Sequence, residues 1–292
     1  MINAKKKQHP WNTIKLSIIQ VGLLVMCVVW LVPIFWLFIQ SFRAHPTHMG
    51  GSFFPDYWTF QNFILLFTDD AAGALNFGQW FFNTLVVAII TAVMSTLFTV
   101  SIAYVLSRFK FRFRKPYMNI ALILGMFPGF LTVIVIATLF RGLGIMEGYW
   151  FFLTLPLVYS SGAGLGFFIS KGFFDTISKT LDEAARIDGA SNARIFFRII
   201  LPLSRPIIVF VILTSFLGPW GDFLFASFIL RGQEDFMTIA VGLYNIVSVD
   251  GNAWLFVRFA ASSVIIAIPI AALFIFLQRF YVGGVTGGAV KG

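Results

Sequence analysis

Few side chains in this 292-residue sequence could do chemistry. Its three histidines, His9, His45 and His48, show no HExxH spacing and have no carboxylate or cysteine cluster beside them, which argues against a bound metal. A single cysteine, Cys27, lies in an apolar run and can make neither an internal disulfide nor a Cys-based metal site. One carboxylate, Asp222, falls inside a long apolar segment, and an ionisable group there marks a functional position by default. It stands about 25 Å along a helix entered at Arg205, at 1.5 Å per residue. That depth is close to the outer end of a hydrocarbon core about 30 Å thick. Asp222 and its neighbour Trp220 are therefore the pathway candidates, with a structural role near the outer mouth favoured over proton coupling. No G-x-x-x-x-G-K-[ST] phosphate loop occurs, and the one lysine of the glycine-rich Gly283–Lys291 stretch follows Val290.

The elements that must position these residues are apolar helices. Apolar residues make up 59% of the chain and charged ones 11%, too few charges to coat a soluble fold of this size. Disorder is excluded by the same composition. Long stretches with little charge run over Leu16–Phe42, Ala71–Ser107, Pro116–Phe140, Gly148–Ser170, Pro206–Leu230 and Phe259–Gln278. A helix needs about 20 apolar residues to span a bilayer, so these predict six spans, the second a helix over Trp80–Leu106. A barrel strand would be about half as long.

With the N-terminus inside, 17 of the 21 Lys and Arg fall on cytoplasmic segments and four, Arg43, Arg141, Arg231 and Arg258, on outer ones. This imbalance predicts that both termini are cytoplasmic. It also accounts for the net charge of +9 without a nucleic-acid partner. The division expected is a basic N-terminus (1–15), a transmembrane domain (16–281) and a cytoplasmic tail (282–292). Within the domain lie an inner hairpin (173–205) and an outer loop (231–256). The basic N-terminus leads into a run too long for a signal-peptide core, so it reads as a retained first helix. The alternating basic and aromatic residues Arg108–Arg114 read as a short inner loop at anionic lipid headgroups. Pro33, Pro128, Pro156, Pro219 and Pro269 lie inside spans, where bent helices suit a pathway.

The inner segment between Lys171 and Arg205 has a design of its own. Thr180 and Glu183 have capping-box spacing, with Thr180 as N-cap. Gly189 falls where a left-handed residue ends a helix. Ser191 can cap a second helix over Asn192–Ile200, which Leu201-Pro202 would stop. Leu181, Ala184, Ala185 and Asp188 would share a face that two alanines make thin. From the residues alone this hairpin either caps the bundle or inserts into a partner's groove.

Glu183-Ala184-Ala185, Gly189 and Ile199-Ile200-Leu201-Pro202, at this spacing, resemble the EAA signature of bacterial ABC importer permeases, and Asp182–Ala190 resembles its carbohydrate-importing branch. The C-terminal stretch Gln278–Gly292 is similar to the tail of the smaller permease subunit of maltose-type importers, and Phe81-Phe82-Asn83-Thr84 and Trp220-Gly221-Asp222-Phe223 look like further landmarks. The resemblance implies an all-α membrane subunit that pairs with a second, homologous permease. Two cytoplasmic ATPase subunits would bind below, and an extracytoplasmic solute-binding protein would deliver a carbohydrate. ATP and Mg would be held by the ATPase subunits and no cofactor by this chain. Glu183, Ala184, Ala185, Asp188 and Gly189 would then form the coupling helix, and Thr286, Gly287, Gly288 and Lys291 an ATPase-contacting tail. Asn245, Val247, Asp250, Gly251 and Asn252 would meet the binding protein. The competing reading is an ion-coupled carrier, which predicts mid-membrane charges and internal repeats.

Overall fold

The computed structural model describes residues 10–45, 52–68, 76–127, 129–146, 148–230, 233–248 and 253–289. Among them the chain is helical throughout, with no strand beyond a single bridge between Arg43 and Trp58. It packs as two compact units, Met1–Thr68 with Asp250–Val264, and Asp69–Val249 with Ile265–Gly292.

In the first unit α1 (Pro10–Gln40) is apolar on every side and exposed over most of its length, as expected of a span that meets lipid. Cys27 is exposed on it. Its C-terminal end is closed by a knot before α2 (Gln61–Thr68). The Arg43 guanidinium, in a residue only 3% exposed, donates to Gln40 Oε1 and to the Ser52 carbonyl. Asn62 Nδ2 donates to the carbonyls of Ser41 and Arg43 at 2.9 and 3.0 Å. Rings of Phe38, Trp58, Phe60 and Phe63 surround Phe42. A buried cation needs acceptors, and the Gln40 side chain and the Ser52 carbonyl supply two.

The second unit is organised around α3 (Phe77–Arg108), 32 residues without a break, slightly longer than the predicted Trp80–Leu106. Its buried positions include small polar residues, Thr84, Thr91, Ser95 and Thr99, which let neighbours approach closely. Ser95 and Ser160 hydroxyls meet at 3.2 Å. α4 (Arg114–Gly125) and α5 (Gly129–Gly142) follow, then α6 (Phe151–Ser161) and α7 (Ala163–Thr176). The hairpin comprises α8 (Thr180–Ile187), α9 (Asn192–Ile195), a π turn (Phe196–Ile200) and α10 (Leu201–Leu203). Next come α11 (Arg205–Gly221), α12 (Leu224–Ile229), α13 (Ile239–Val247) and α14 (Ala253–Ala289), the last shared with the first unit. α3 packs against α6, α7, α11 and α13. One core cluster, with Phe151, Leu155 and Val241, gathers on Val87 near its start. The other, with Phe167, Phe174 and Ile200, gathers on Val100–Leu106 near its end.

Among the described residues three helices are long and apolar enough to cross a membrane unbroken, at Lys15–Gln40, Phe77–Arg108 and Trp254–Phe280. The other predicted spans are interrupted. Pro116–Phe140 is two helices, because Phe127 precedes a proline and glycines flank the gap. Pro128 itself lies outside the described residues. The fourth run bends by 58° between Ser161 and Gly166, a glycine-rich stretch. The fifth ends at Gly221, after Pro219 has removed a ladder donor, and α12 restarts two residues on. A 79° bend also separates Asn192–Leu203 from Arg205–Gly221. Such breaks are tolerated at membrane depth where protein or a cavity satisfies the backbone.

Candidate functional site: one helix holding a hairpin at its end and a loop at its start

The hairpin ends differ from the predicted capping. Thr180 is not the N-cap of α8: it is the first helical residue, and Lys179 stands in the N-cap position without a side-chain bond. The hydroxyl that closes the turn belongs to Ser178, whose Oγ accepts from the Thr180 N–H at 3.3 Å and meets Thr180 Oγ1 at 2.7 Å. Ile177 is extended (ψ 125°), which sets the start of the turn one residue early. The Glu183 side chain is exposed, and its N–H donates to the Lys179 carbonyl.

The far end of α8 is as its residues dictate. Gly189 has φ +78°. Its N–H donates to the Arg186 carbonyl at 3.0 Å, and the Ala190 N–H to the Ala185 carbonyl at 2.9 Å, a Schellman motif. Ser191 Oγ then accepts from the Arg194 N–H at 3.3 Å, capping α9. Pro202 does not stop this helix. The ladder widens to a π turn over Phe196–Ile200, with the Leu201 N–H on the Phe196 carbonyl, and helix continues to Leu203. Widening the turn relieves the proline ring of the carbonyl it would strike in an α ladder.

The thin face is divided. Ala185 is buried in the chain's own core and Asp182 with it, whereas Ala184 and Asp188 are exposed. Leu181, Ala184 and Ile187 form the outward apolar surface, Ile187 at 87% exposure. Ile187 drew no attention in the sequence, because a lone isoleucine beside a charged stretch is ordinary.

What holds the hairpin is the last turn of α3. Arg108 Nε lies 3.1 Å from Asp182 Oδ2, the two side chains 1% and 7% exposed. Both Arg108 terminal nitrogens donate to the Ile177 carbonyl at 3.1 Å. Tyr104 packs its ring on Phe196 at 4.5 Å and points its hydroxyl at the Asn192 carbonyl, 3.4 Å away. Ser107 Oγ donates to Asp175 Oδ1 at 2.6 Å, and Lys171 binds the other oxygen. Arg108 is thus inside the fold, not at the headgroups where the alternating pattern put it; Phe113 is exposed.

The first turns of α3 hold the other loop in a matching way. Asn83 Nδ2 donates to the carbonyls of Asp235 and Met237 at 3.0 and 3.1 Å. Thr84 Oγ1 accepts from the Ile239 N–H at 2.7 Å and so caps α13. Gly242 sits so close to Trp80 that a Cβ would stand 2.1 Å from its ring. Gln233 ties the same loop to its neighbour, donating to the Met146 carbonyl at 2.6 Å and accepting from the Gly148 N–H at 2.8 Å. On α13, Asn245 and Val247 face outward; Asp250, Gly251 and Asn252 lie outside the described residues. In the C-terminal stretch Thr286, Gly287 and Gly288 continue α14, while Lys291 lies outside the described residues, as do His9, His48 and Arg231.

Asp222 is a helix cap. Its carboxylate accepts from the N–H groups of Phe225 and Ala226 at 3.2 and 3.1 Å and from the Tyr159 hydroxyl at 2.5 Å. Trp220 is buried against Phe81 and Phe216, with its indole N–H unpaired. Beside the breaks in α4–α5, α6–α7 and α11–α12 opens a cavity of about 760 Å³, lined among others by Tyr117, Leu124, Phe127, Tyr159, Ser161 and Phe225. Among the described residues no three His, Cys, Asp or Glu side chains come together to hold a metal.

A membrane subunit built from broken helices, with a hairpin and a loop fixed to opposite ends of one long helix, is the class this fold defines. The chain belongs to the family of inner membrane components of binding-protein-dependent transport systems, whose model matches residues 99–283. It is 38% identical over 268 residues to the galactooligosaccharides transport system permease protein GanQ of Bacillus subtilis, covering 91% of this chain and 92% of that one. It is 36% identical to the maltodextrin transport system permease protein MalD of Streptococcus pneumoniae, covering 80% of each. In fold it is similar to a chain in the crystal structure of a bacterial ABC transporter involved in the import of the acidic polysaccharide alginate. The TM-score there is 0.75 at 21% identity, covering 96% of this chain and all of that one.

Proposed function

We propose that this chain is the membrane-spanning permease subunit of a binding-protein-dependent, ATP-driven importer of an oligosaccharide. Six spans cross the membrane with both termini in the cytoplasm. A second, homologous permease completes the pathway, and two ATPase subunits, which hold ATP and Mg, dock on the hairpins. Within this chain Leu181, Glu183, Ala184, Ile187 and Asp188 meet the ATPase, and Gly189 sets the angle of the hairpin; the tail with Thr286, Gly287, Gly288 and Lys291 reaches the same partner. The outer loop, with Asn245, Val247, Asp250, Gly251 and Asn252, meets the solute-binding protein. Tyr117, Phe127 and Tyr159 offer aromatic faces to a sugar along the cavity at the helix breaks.

The observation that carries this reading is the hairpin itself: an exposed apolar surface on a helix whose opposite side is pinned to α3 by a buried ion pair. A mere cap would bury its apolar residues inward and leave none presented. Galactooligosaccharides and maltodextrins, the substrates named for two relatives, set the sugar class. The three hydrogen bonds on Asp222 favour an ATP-driven importer over an ion-coupled carrier, because a carboxylate committed to capping is a poor proton relay. Co-purification is the test: an ATPase and a second permease should come out of detergent with this chain. A chain that purifies alone and still accumulates sugar under an ion gradient would overturn the reading.

A further inference from the structure

Of the four helices longer than 15 residues among the described residues, α3 is the one without an internal proline; α1, α11 and α14 carry Pro33, Pro219 and Pro269. Of the helices α3 packs against, α6 and α7 meet at a 58° bend and α11 stops at Gly221 before α12. An intact helix resists bending, whereas a proline or a break supplies a hinge. Thr84 and Arg108 lie 24 positions apart on this helix, about 36 Å at 1.5 Å per residue.

Both ends grip backbone. At the start, Asn83 and Thr84 take the carbonyls of Asp235 and Met237 and the N–H of Ile239. At the end, Arg108 takes the Ile177 carbonyl and Tyr104 the Asn192 carbonyl, joined by side-chain partners in Asp182, Asp175 and Phe196. Asn83, Thr84 and the Arg108–Asp182 side chains are at most 7% exposed, so each grip would leave a dry, unpaired group if it let go. A shift of either segment therefore moves α3, or breaks bonds that the site makes costly to break.

We propose that α3 is the rod through which the outer loop and the coupling hairpin sense each other, with Asn83 and Arg108 as its positioning residues. This rests on the functional reading above, in which binding protein meets the loop and ATPase the hairpin. Docking of the loaded binding protein displaces α13 and the segment before it. Asn83 and Thr84 pass that displacement to α3, and Arg108 passes it to α8. Neither residue touches binding protein, sugar or ATPase. Coupling between distant sites is served by a mechanical element whose state both sites bias, and α3 is continuous, free of internal proline and bonded to both segments.

The experiment uses the whole complex in lipid nanodiscs, with its binding protein loaded with galactooligosaccharide or with maltodextrin. ATP hydrolysis is measured with and without binding protein, and binding-protein affinity is measured separately. Asn83→Ala and Arg108→Lys should each lower the ratio of stimulated to basal hydrolysis about tenfold, with affinity for the binding protein changed less than twofold. The double variant should lose no more than either single one, because two grips on one rod fail as a unit. A double variant whose losses multiply, or single variants that keep full stimulation, would overturn the proposal. If Arg108→Lys prevents assembly, Val93→Gly with Leu97→Gly softens the middle of the rod at two positions more than half exposed, away from both grips. It should give the same tenfold loss, and full stimulation there would equally overturn the proposal. An unaltered complex that shows no stimulation by binding protein overturns the functional reading itself, a result distinct from both.

Discussion

Replacing Gly242 by alanine adds one carbon atom at the contact between α13 and α3. An ideal Cβ there would stand 2.1 Å from Trp80 Cε3, 2.3 Å from Cδ2 and 2.6 Å from Cζ3. Carbon atoms pack at about 3.5–4.0 Å, so the helices must separate by more than an ångström or the indole must turn. Trp80 is 6% exposed, so turning its ring would disturb packed neighbours. Separation is the cheaper course, and it stretches the 2.7 Å bond from the Ile239 N–H to Thr84. Overpacking of this kind costs roughly 1–3 kcal/mol. At about 2–4 °C per kcal/mol for a chain of this size, the expected loss is roughly 5 °C in the unfolding midpoint. The assay is thermal unfolding of the purified chain in detergent, followed by tryptophan fluorescence. Trp80→Leu in the same chain should recover part of the loss, because the atoms in conflict are gone. An unfolding midpoint unchanged in Gly242→Ala would refute the close approach and with it the fixed seat of α13.

A Cβ added at Gly189 meets no neighbour within 4 Å, so the cost of Gly189→Val is chiefly backbone, about 1–2 kcal/mol at φ +78°; expected is a complex that pairs its permeases but loses ATPase on pull-down, with uptake failing alongside. Asp182→Ala strands the Arg108 guanidinium inside the fold and should destabilise the chain by about 3–5 kcal/mol, while Arg108→Met with Asp182→Leu recovers most of it in the same unfolding assay. Thr84→Val removes the acceptor for the Ile239 N–H at nearly constant volume and should cost about 1–3 kcal/mol, with Thr84→Ser close to the parent chain. With Cys27 replaced by serine, Thr286→Cys should react with an impermeant maleimide only from the cytoplasm and Asp250→Cys only from outside; labelling from one side for both would refute the topology.

The helices that could be read in the sequence were those whose stability is their own. α1 and α3 are long, apolar and uninterrupted, and length with composition suffices for them. Gly189 and Ser191 were legible for the same reason, since a left-handed residue and a cap are local demands. Thr180 failed as a cap because Ser178, two residues before it, could do the same work, and only the path of the chain at Ile177 decides between them. The helix breaks were hidden because a run of uncharged residues says nothing of where its ladder is interrupted. Arg108 with Asp182, and Asn83 with Asp235 and Met237, are tertiary bonds across 74 to 154 positions, and no spacing in the sequence encodes them. Asn83 and Thr84 stood out in the sequence only as part of a recognisable motif; their task is visible once the loop they hold is in place.

The π turn at Phe196–Ile200 changes what a one-residue deletion would do. It stores an extra residue in the ladder, so everything beyond it is advanced by one position, about 100° of rotation, relative to an unbroken α-helix. That advance applies as far as Leu203, where α10 ends before the 79° bend into α11. Removing one residue from the turn would tidy the ladder yet drive Pro202 into the carbonyl of the preceding turn and rotate Leu201–Leu203, from which the chain bends into α11, by about 100°. The turn therefore acts as a phase offset between the start of the hairpin's second helix and the bend that leads into α11. A chain of this design tolerates substitutions between Ile195 and Leu201 far better than it tolerates a change of length there.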